Sequence, residues 1–130
     1  SNQLLIENKM LFMPVEGTVT QGFNTKENHL AIDIAVDIGT PIKAASDGRV
    51  LFAEWTLETG YVIIIDHGDM LTTAYKHNSA VLKKQNEFVN AGEIIALSGN
   101  HGTLTTGPHL HFELWKNGSP IDPAQLFNFQ

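Results

Sequence analysis

At 130 residues, with 42% hydrophobic and 17% charged side chains, the chain is sized and composed for one globular domain that buries a core without covalent cross-links. A formal net charge of −6, from 14 acidic and 8 basic residues with no Lys/Arg cluster, argues against nucleic acid or an anionic membrane surface as partner. Cysteine is absent, which excludes disulfides and thiolate metal sites, and no run approaches the roughly 18 apolar residues of a helical membrane span.

The N-terminus, Ser1-Asn2-Gln3-Leu4-Leu5-Ile6-Glu7, has neither a basic region nor a signal cleavage site and does not open on Met. It reads as the start of a mature form or an excised domain, with residues 1–13 a lead-in and 14–130 a single domain. Leu11-Phe12-Met13-Pro14 is a short apolar piece stopped by proline. Gly17 to Phe23 reads as a strand between glycines, and His29 to Ala35 alternates with His29, Ala31, Asp33 and Ala35 on one face. Pro41 to Ala45 is a further strand, Ser46-Asp47-Gly48 a hairpin-type turn, and Arg49 to Trp55 alternates again.

Tyr61-Val62-Ile63-Ile64-Ile65-Asp66 is a nearly continuous β-branched run, the pattern of a central strand buried on both faces. His67-Gly68-Asp69 turns the chain into Leu71 to His77, and Asn90-Ala91-Gly92 precedes a strand over Glu93 to Leu97. A Gly/Asn/Thr-rich loop, Ser98 to Gly107, leads into Pro108-His109-Leu110-His111-Phe112-Glu113-Leu114, after which Asn117-Gly118 closes a hairpin. Asp122 to Phe127 predicts one capped helical turn. Many short strands with almost no helical periodicity predict an all-β, mainly antiparallel sandwich or barrel.

His109 and His111 carry the chemistry. In a strand, residues i and i+2 share a face with Cα atoms about 6–7 Å apart, so both imidazoles look into one space while Leu110 and Phe112 enter the core. His29 and Asp33 also share a face, but at ideal extension they stand about 13 Å apart, so a bend, bulge or helical turn is required to bring both to one ion. Two His nitrogens and a carboxylate oxygen form a plausible three-ligand set for Zn²⁺ that leaves a fourth position for water. The nitrogen-rich donors fit Ca²⁺ or Mg²⁺ poorly. With His77 added there are more groups than a catalytic zinc needs, and the surplus imidazoles suit proton transfer at a water whose pKa zinc brings to about 7. Spacing alone does not say which histidine binds and which shuttles.

His29-x-x-x-Asp33, Tyr75-Lys76-His77 and Gly107-Pro108-His109-Leu110-His111-Phe112-Glu113, in that order, resemble the lysostaphin/LytM-type zinc metallopeptidases. The likeness runs from about Pro14 to Phe127 and includes Gly39-Thr40-Pro41-Ile42-Lys43-Ala44, Ile65-Asp66-His67-Gly68 and Ala91-Gly92-Glu93-Ile94-Ile95-Ala96-Leu97-Ser98-Gly99-Asn100. It implies a β-sandwich/barrel-sandwich hybrid with a groove holding the metal site, Zn²⁺ bound by His29, Asp33 and His111, and His77 and His109 orienting and deprotonating the water and stabilising the tetrahedral oxyanion. It also implies a monomeric endopeptidase that uses metal-activated water to hydrolyse peptide bonds of bacterial cell-wall peptidoglycan, outside the cytoplasm. Three positions depart from the family pattern: Ala31 stands where glycine is common, Asn78 where an apolar residue is usual, and His101 where a small hydroxyl residue is expected.

Other residues have plainer alternatives. His67 reads as a turn residue satisfying backbone groups, and His101 as a solvated loop residue. Glu113 is either an acceptor that fixes a ligand tautomer or a surface ion pair, Tyr75 either borders the groove or packs, and Trp55 and Trp115 read as core or rim. Two other functions compete with catalysis. A non-catalytic regulator of another wall hydrolase typically lacks one or more ligands, and all three are present here. A histidine phosphoryl carrier leaves Asp33 unexplained.

Overall fold

The computed structural model describes residues 3–6, 9–100 and 107–127. They form twelve strands: β1 (Gln3–Ile6), β2 (Lys9–Phe12), β3 (Thr18–Gln21), β4 (Ile32–Ala35), β5 (Pro41–Lys43), β6 (Gly48–Thr56), β7 (Gly60–Asp66), β8 (Leu71–Val81), β9 (Phe88–Val89), β10 (Ile94–Ser98), β11 (His109–Lys116) and β12 (Ser119–Ile121). One 3₁₀ turn, Pro123–Gln125, follows, with the Asp122 carboxylate accepting from Ala124 N as its cap. All pairings are antiparallel, which is the all-β class the sequence predicts, and no described helix is long and apolar enough to cross a membrane.

β1 and β2 pair with each other. The other strands form a ten-stranded sheet in the order β3-β4-β11-β8-β7-β6-β9, with β10 joined to β5 and β8 and β12 joined to β11. The sheet branches rather than closing into a barrel. Its long strand β8 pairs β11 through residues 71–76 and β10 through residues 78–81. The core holds Ile32 and Ile34 of β4, Ile63 and Ile65 of β7, Tyr75 of β8, and Leu110, Phe112 and Leu114 of β11. Burying such aliphatic side chains stabilises the fold by about 1.5–3 kcal/mol each. Leu11 and Met13, from the stretch read as a lead-in, lie in the same core, and Phe12 N donates to Ala45 O at 2.8 Å.

Several local expectations change. Ser46-Asp47-Gly48 is no hairpin turn: β5 pairs β10, and β6 pairs β7 and β9. The glycine is required by crowding, since a Cβ at Gly48 would meet Asp66 O at 2.5 Å. His29 to Ala35 is not one strand either. Strand pairing begins at Ile32, and His29 bridges only Asn24. β9 has no counterpart in the predicted elements. The Asn117-Gly118 hairpin is as expected, both residues having positive φ (52° and 77°) between β11 and β12, which suits a two-residue loop.

Candidate metal centre

β11 lies between β4 and β8, and this order assembles the site. In register, His111 is opposite Asp33 on one side and Lys76 on the other. Directly opposed residues have Cβ atoms about 4.5–5.5 Å apart, so Asp33 and His111 meet without any special loop. The alternation of β11 sends Leu110, Phe112 and Leu114 into the core, while His109, His111, Glu113 and Trp115 line a cleft of about 340 Å³. Gln21, Asn28, His29, Leu30, Asp33, Thr59, Lys76 and His77 complete that cleft.

The bend that the His29/Asp33 spacing demands is present between His29 and Ile32, and it brings His29 Nε2 to 3.3 Å from Asp33 Oδ2. His111 Nδ1 stands 3.0 Å from Asp33 Oδ1 and His109 Nε2 3.7 Å from Asp33 Oδ2. The ring centroids of His77 and His109 are 4.9 Å apart, and those of His77 and His111 5.9 Å apart. One ligand atom each from His29, Asp33 and His111 lies within 4.8 Å of the others.

Each imidazole is oriented from behind. His29 Nδ1 donates to Gly22 O (2.8 Å), His109 Nδ1 donates to Gly107 O (2.7 Å), and His111 Nε2 donates to Glu113 Oε2 (2.8 Å). A carbonyl only accepts, so in neutral His29 and His109 the Nε2 that faces Asp33 carries the lone pair, whereas His111 lies between two carboxylates, Asp33 Oδ1 at 3.0 Å and Glu113 Oε2, and donates to both when protonated. His29 Nε2 is buried and has no hydrogen-bond partner. A lone pair aimed at a carboxylate oxygen is repulsive unless a cation stands between them. Two zinc ligands at about 2.0–2.1 Å and a tetrahedral angle stand about 3.4 Å apart, close to the 3.3 Å and 3.0 Å that separate His29 Nε2 and His111 Nδ1 from the Asp33 carboxylate. The donor set therefore fits Zn²⁺.

Titration tells the same story. Burial pushes the Asp33 carboxyl up, but the hydrogen bond from His111 and the charges of His111, His109 and His29 outweigh it and leave it below the usual carboxylate range. Burial pushes His111 down, yet its bonds to Asp33 and Glu113 raise it above its ordinary value. Burial likewise opposes ionisation of Glu113, but the bond from His111, the Lys76 charge and the Trp115 indole hold it down at about 2. The pocket is built to stabilise positive charge.

Glu113 accepts from His111 Nε2 and from Trp115 Nε1 (2.9 Å) and also pairs with Lys76 Nζ (3.0 Å), an ion pair that is half-buried rather than at the surface. His67 stays outside the cleft. It is buried, with Nδ1 donating to Asp47 O (2.8 Å) and Nε2 at 2.6 Å from Thr73 Oγ1. Tyr75 does not border the cleft but is fully buried, its hydroxyl accepting from Ala45 N (3.0 Å) and bonded to Thr73 Oγ1 (2.7 Å). Trp55 is 47% exposed, and the half-buried Trp115 lines the cleft, so both belong to the surface rather than the core. Ala31 is buried, lacks a positive φ and does not line the cleft, so its methyl is accommodated. His101 lies outside the described residues. Lys76 belongs to the Tyr75-Lys76-His77 element singled out above, whereas Gln21 carried no sequence signal for the site; the pairing of strands and loops brings both there, with Thr59 and Asn28.

An open antiparallel sheet that gathers two imidazoles and a carboxylate, with two further histidines alongside, defines a candidate mononuclear metal site of the kind used in hydrolysis. The chain belongs to peptidase family M23, whose profile matches residues 27–123. It is 40% identical over 94 residues to peptidoglycan DD-endopeptidase ShyA of Vibrio cholerae, covering 72% of this chain and 22% of that protein. It is 40% identical over 114 residues to murein hydrolase activator NlpD of Escherichia coli, covering 86% of this chain and 30% of that protein. A zinc-containing peptidase from Vibrio cholerae superposes with a TM-score of 0.82 at 29% identity, over 98% of this chain and 47% of that one. The catalytic domain of lysostaphin from Staphylococcus simulans superposes with a TM-score of 0.70 at 34% identity, over 85% of this chain and 86% of that one. The chain thus spans about a quarter of the length of the curated relatives it matches.

Proposed function

We propose that this domain is a zinc endopeptidase that hydrolyses peptide bonds of bacterial cell-wall peptidoglycan outside the cytoplasm. The observation that carries the reading is the convergence of His29 Nε2, Asp33 and His111 Nδ1, each ring fixed from behind, with His77 and His109 beside them. The family and the relative named a peptidoglycan DD-endopeptidase supply the substrate class. The relatives' wall-directed names are the support for an extracytoplasmic location.

His29, Asp33 and His111 hold the metal. Bound there, zinc supplies a Lewis acid that polarises a carbonyl and lowers the pKa of water to about 7. His109, its Nδ1 proton held on Gly107 O, offers Nε2 to take a proton from the attacking water and return it to the departing amine nitrogen. His77 stands across from it and donates to the oxyanion that develops on the substrate carbonyl. A larger groove of about 670 Å³, floored by Ile64, Thr72 and Ala74, meets the metal cleft at Glu113 and Trp115 and gives an extended peptide room to lie across the sheet.

The test is zinc content together with mass spectrometry of defined muropeptides. His77→Ala and His109→Ala should abolish cleavage while retaining zinc, and His29→Ala, Asp33→Ala and His111→Ala should lose the metal. Full turnover in both of the first two variants overturns the assigned roles. The likeness to a murein hydrolase activator favours a second reading, a non-catalytic regulator, and bound zinc without turnover in the wild type would support it.

A further inference from the structure

Strict alternation along β8 would place His77 on the same face as Tyr75, in the core. It lies in the cleft instead because β8 carries a bulge. Tyr61 pairs with Asn78 and Ile63 with Tyr75, so Lys76 and His77 together oppose Val62 alone. His77 adopts φ 69°, a conformation that β-carbon-bearing residues rarely take, and its N–H donates to Thr59 O at 2.7 Å. Both bulged residues then project into the cleft.

A conformation of this kind is strained and persists only where its surroundings hold it. Asn78 is the neighbour that does so. It is fully buried, and its Nδ2 donates both to Tyr61 O on β7 (3.1 Å) and to Tyr75 O on β8 (3.0 Å), the two edges of the bulge. Two carbonyl acceptors fix the amide orientation, and Oδ1 is left buried without a partner. An orphaned acceptor is destabilising, a cost that an apolar residue at this position would avoid. Leucine there would leave both carbonyls without the amide donor.

We propose that Asn78 is the positioning residue of the site: its side-chain amide clamps the bulge of β8 and so aims His77 into the metal cleft. This rests on the catalytic role proposed for His77. The test is Asn78→Leu, similar in size but without the amide, studied alongside His77→Ala. The metal donors lie on β4 and β11 and at His29, away from the clamp, so zinc affinity should stay within about threefold of wild type. Turnover should fall about 10–100-fold in kcat with KM within about twofold, as expected for a misaimed catalytic group. In ¹⁵N-histidine spectra of the zinc-loaded protein, the His77 imidazole signals should shift or broaden while those of His109 and His111 hold. Unchanged His77 signals in folded Asn78→Leu overturn the proposal, whatever the activity. If wild type and His77→Ala are both inactive, the peptidase reading fails, and the His77 signals still decide the clamp. Should Asn78→Leu not fold, Asn78→Ser removes the same two bonds and is judged by the same signals.

Discussion

Replacing Glu113 by glutamine tests whether the cleft is tuned from behind its ligands. The carboxylate accepts from His111 Nε2 at 2.8 Å and Trp115 Nε1 at 2.9 Å, and pairs with Lys76 Nζ at 3.0 Å. A glutamine has one acceptor oxygen where three donors converge. If its NH₂ faces His111, the imidazole must turn its lone pair outward, which protonates Nδ1 and removes it as a ligand. If the NH₂ faces Trp115, two donors oppose each other there, and the negative charge that raises the basicity of His111 is lost in either case. Loss of such an outer partner weakens metal binding by about 10–100-fold. That corresponds to about 1.4–2.8 kcal/mol. Competition with a chromophoric chelator reads the zinc dissociation constant directly. An affinity in Glu113→Gln within about twofold of wild type would refute the inference that Glu113 fixes the His111 tautomer.

Further outcomes follow from the same contacts. In metal-stripped protein, Glu113 lies at about 2 against its ordinary 4.5; a depressed carboxyl adds stability above its unfolded value and loses it as pH falls through its folded one. Urea stability should therefore decline from about pH 4.5 toward about pH 2, by about 1–2 kcal/mol for this group after solvent screening, with a shallower decline in Glu113→Gln. Tyr75→Phe strands the buried Ala45 N–H and breaks the chain from His67 through Thr73, so urea titration should show a loss of about 1–3 kcal/mol. Gly48→Ala sets a Cβ against Asp66 O and Ile65 Cγ2 and should likewise unfold at lower urea, with the zinc site of the folded fraction intact.

Alternation along β11 made His109, His111 and their apolar neighbours readable, because a strand period of two leaves little choice once one face is buried. The meeting of Asp33 with His111 depends on register between segments far apart in sequence, and no local pattern carries that. The bend before Ile32 was demanded by the His29/Asp33 distance but not located by it. Parity failed at Tyr75 and His77, where a bulge turned two residues of like parity to opposite faces. A large aromatic and a site histidine two apart were a sign of that conflict. Gly48 misled in a different way: its glycine reports a close backbone approach to β7 rather than a hairpin. Lys76 reaches the cleft by regular alternation with Thr72 and Ala74, opposite His111, a placement that depends on register between β8 and β11.

Zinc-edge X-ray absorption on protein loaded with one equivalent of zinc examines the coordination sphere itself. Coordination by His29, Asp33 and His111 predicts a shell of nitrogen and oxygen only, at about 2.0–2.1 Å, with the multiple scattering of two imidazoles. That signature should disappear in Asp33→Ala and persist in His109→Ala. A shell with three or four imidazoles, or one unchanged when residue 33 is truncated, would contradict the site described here.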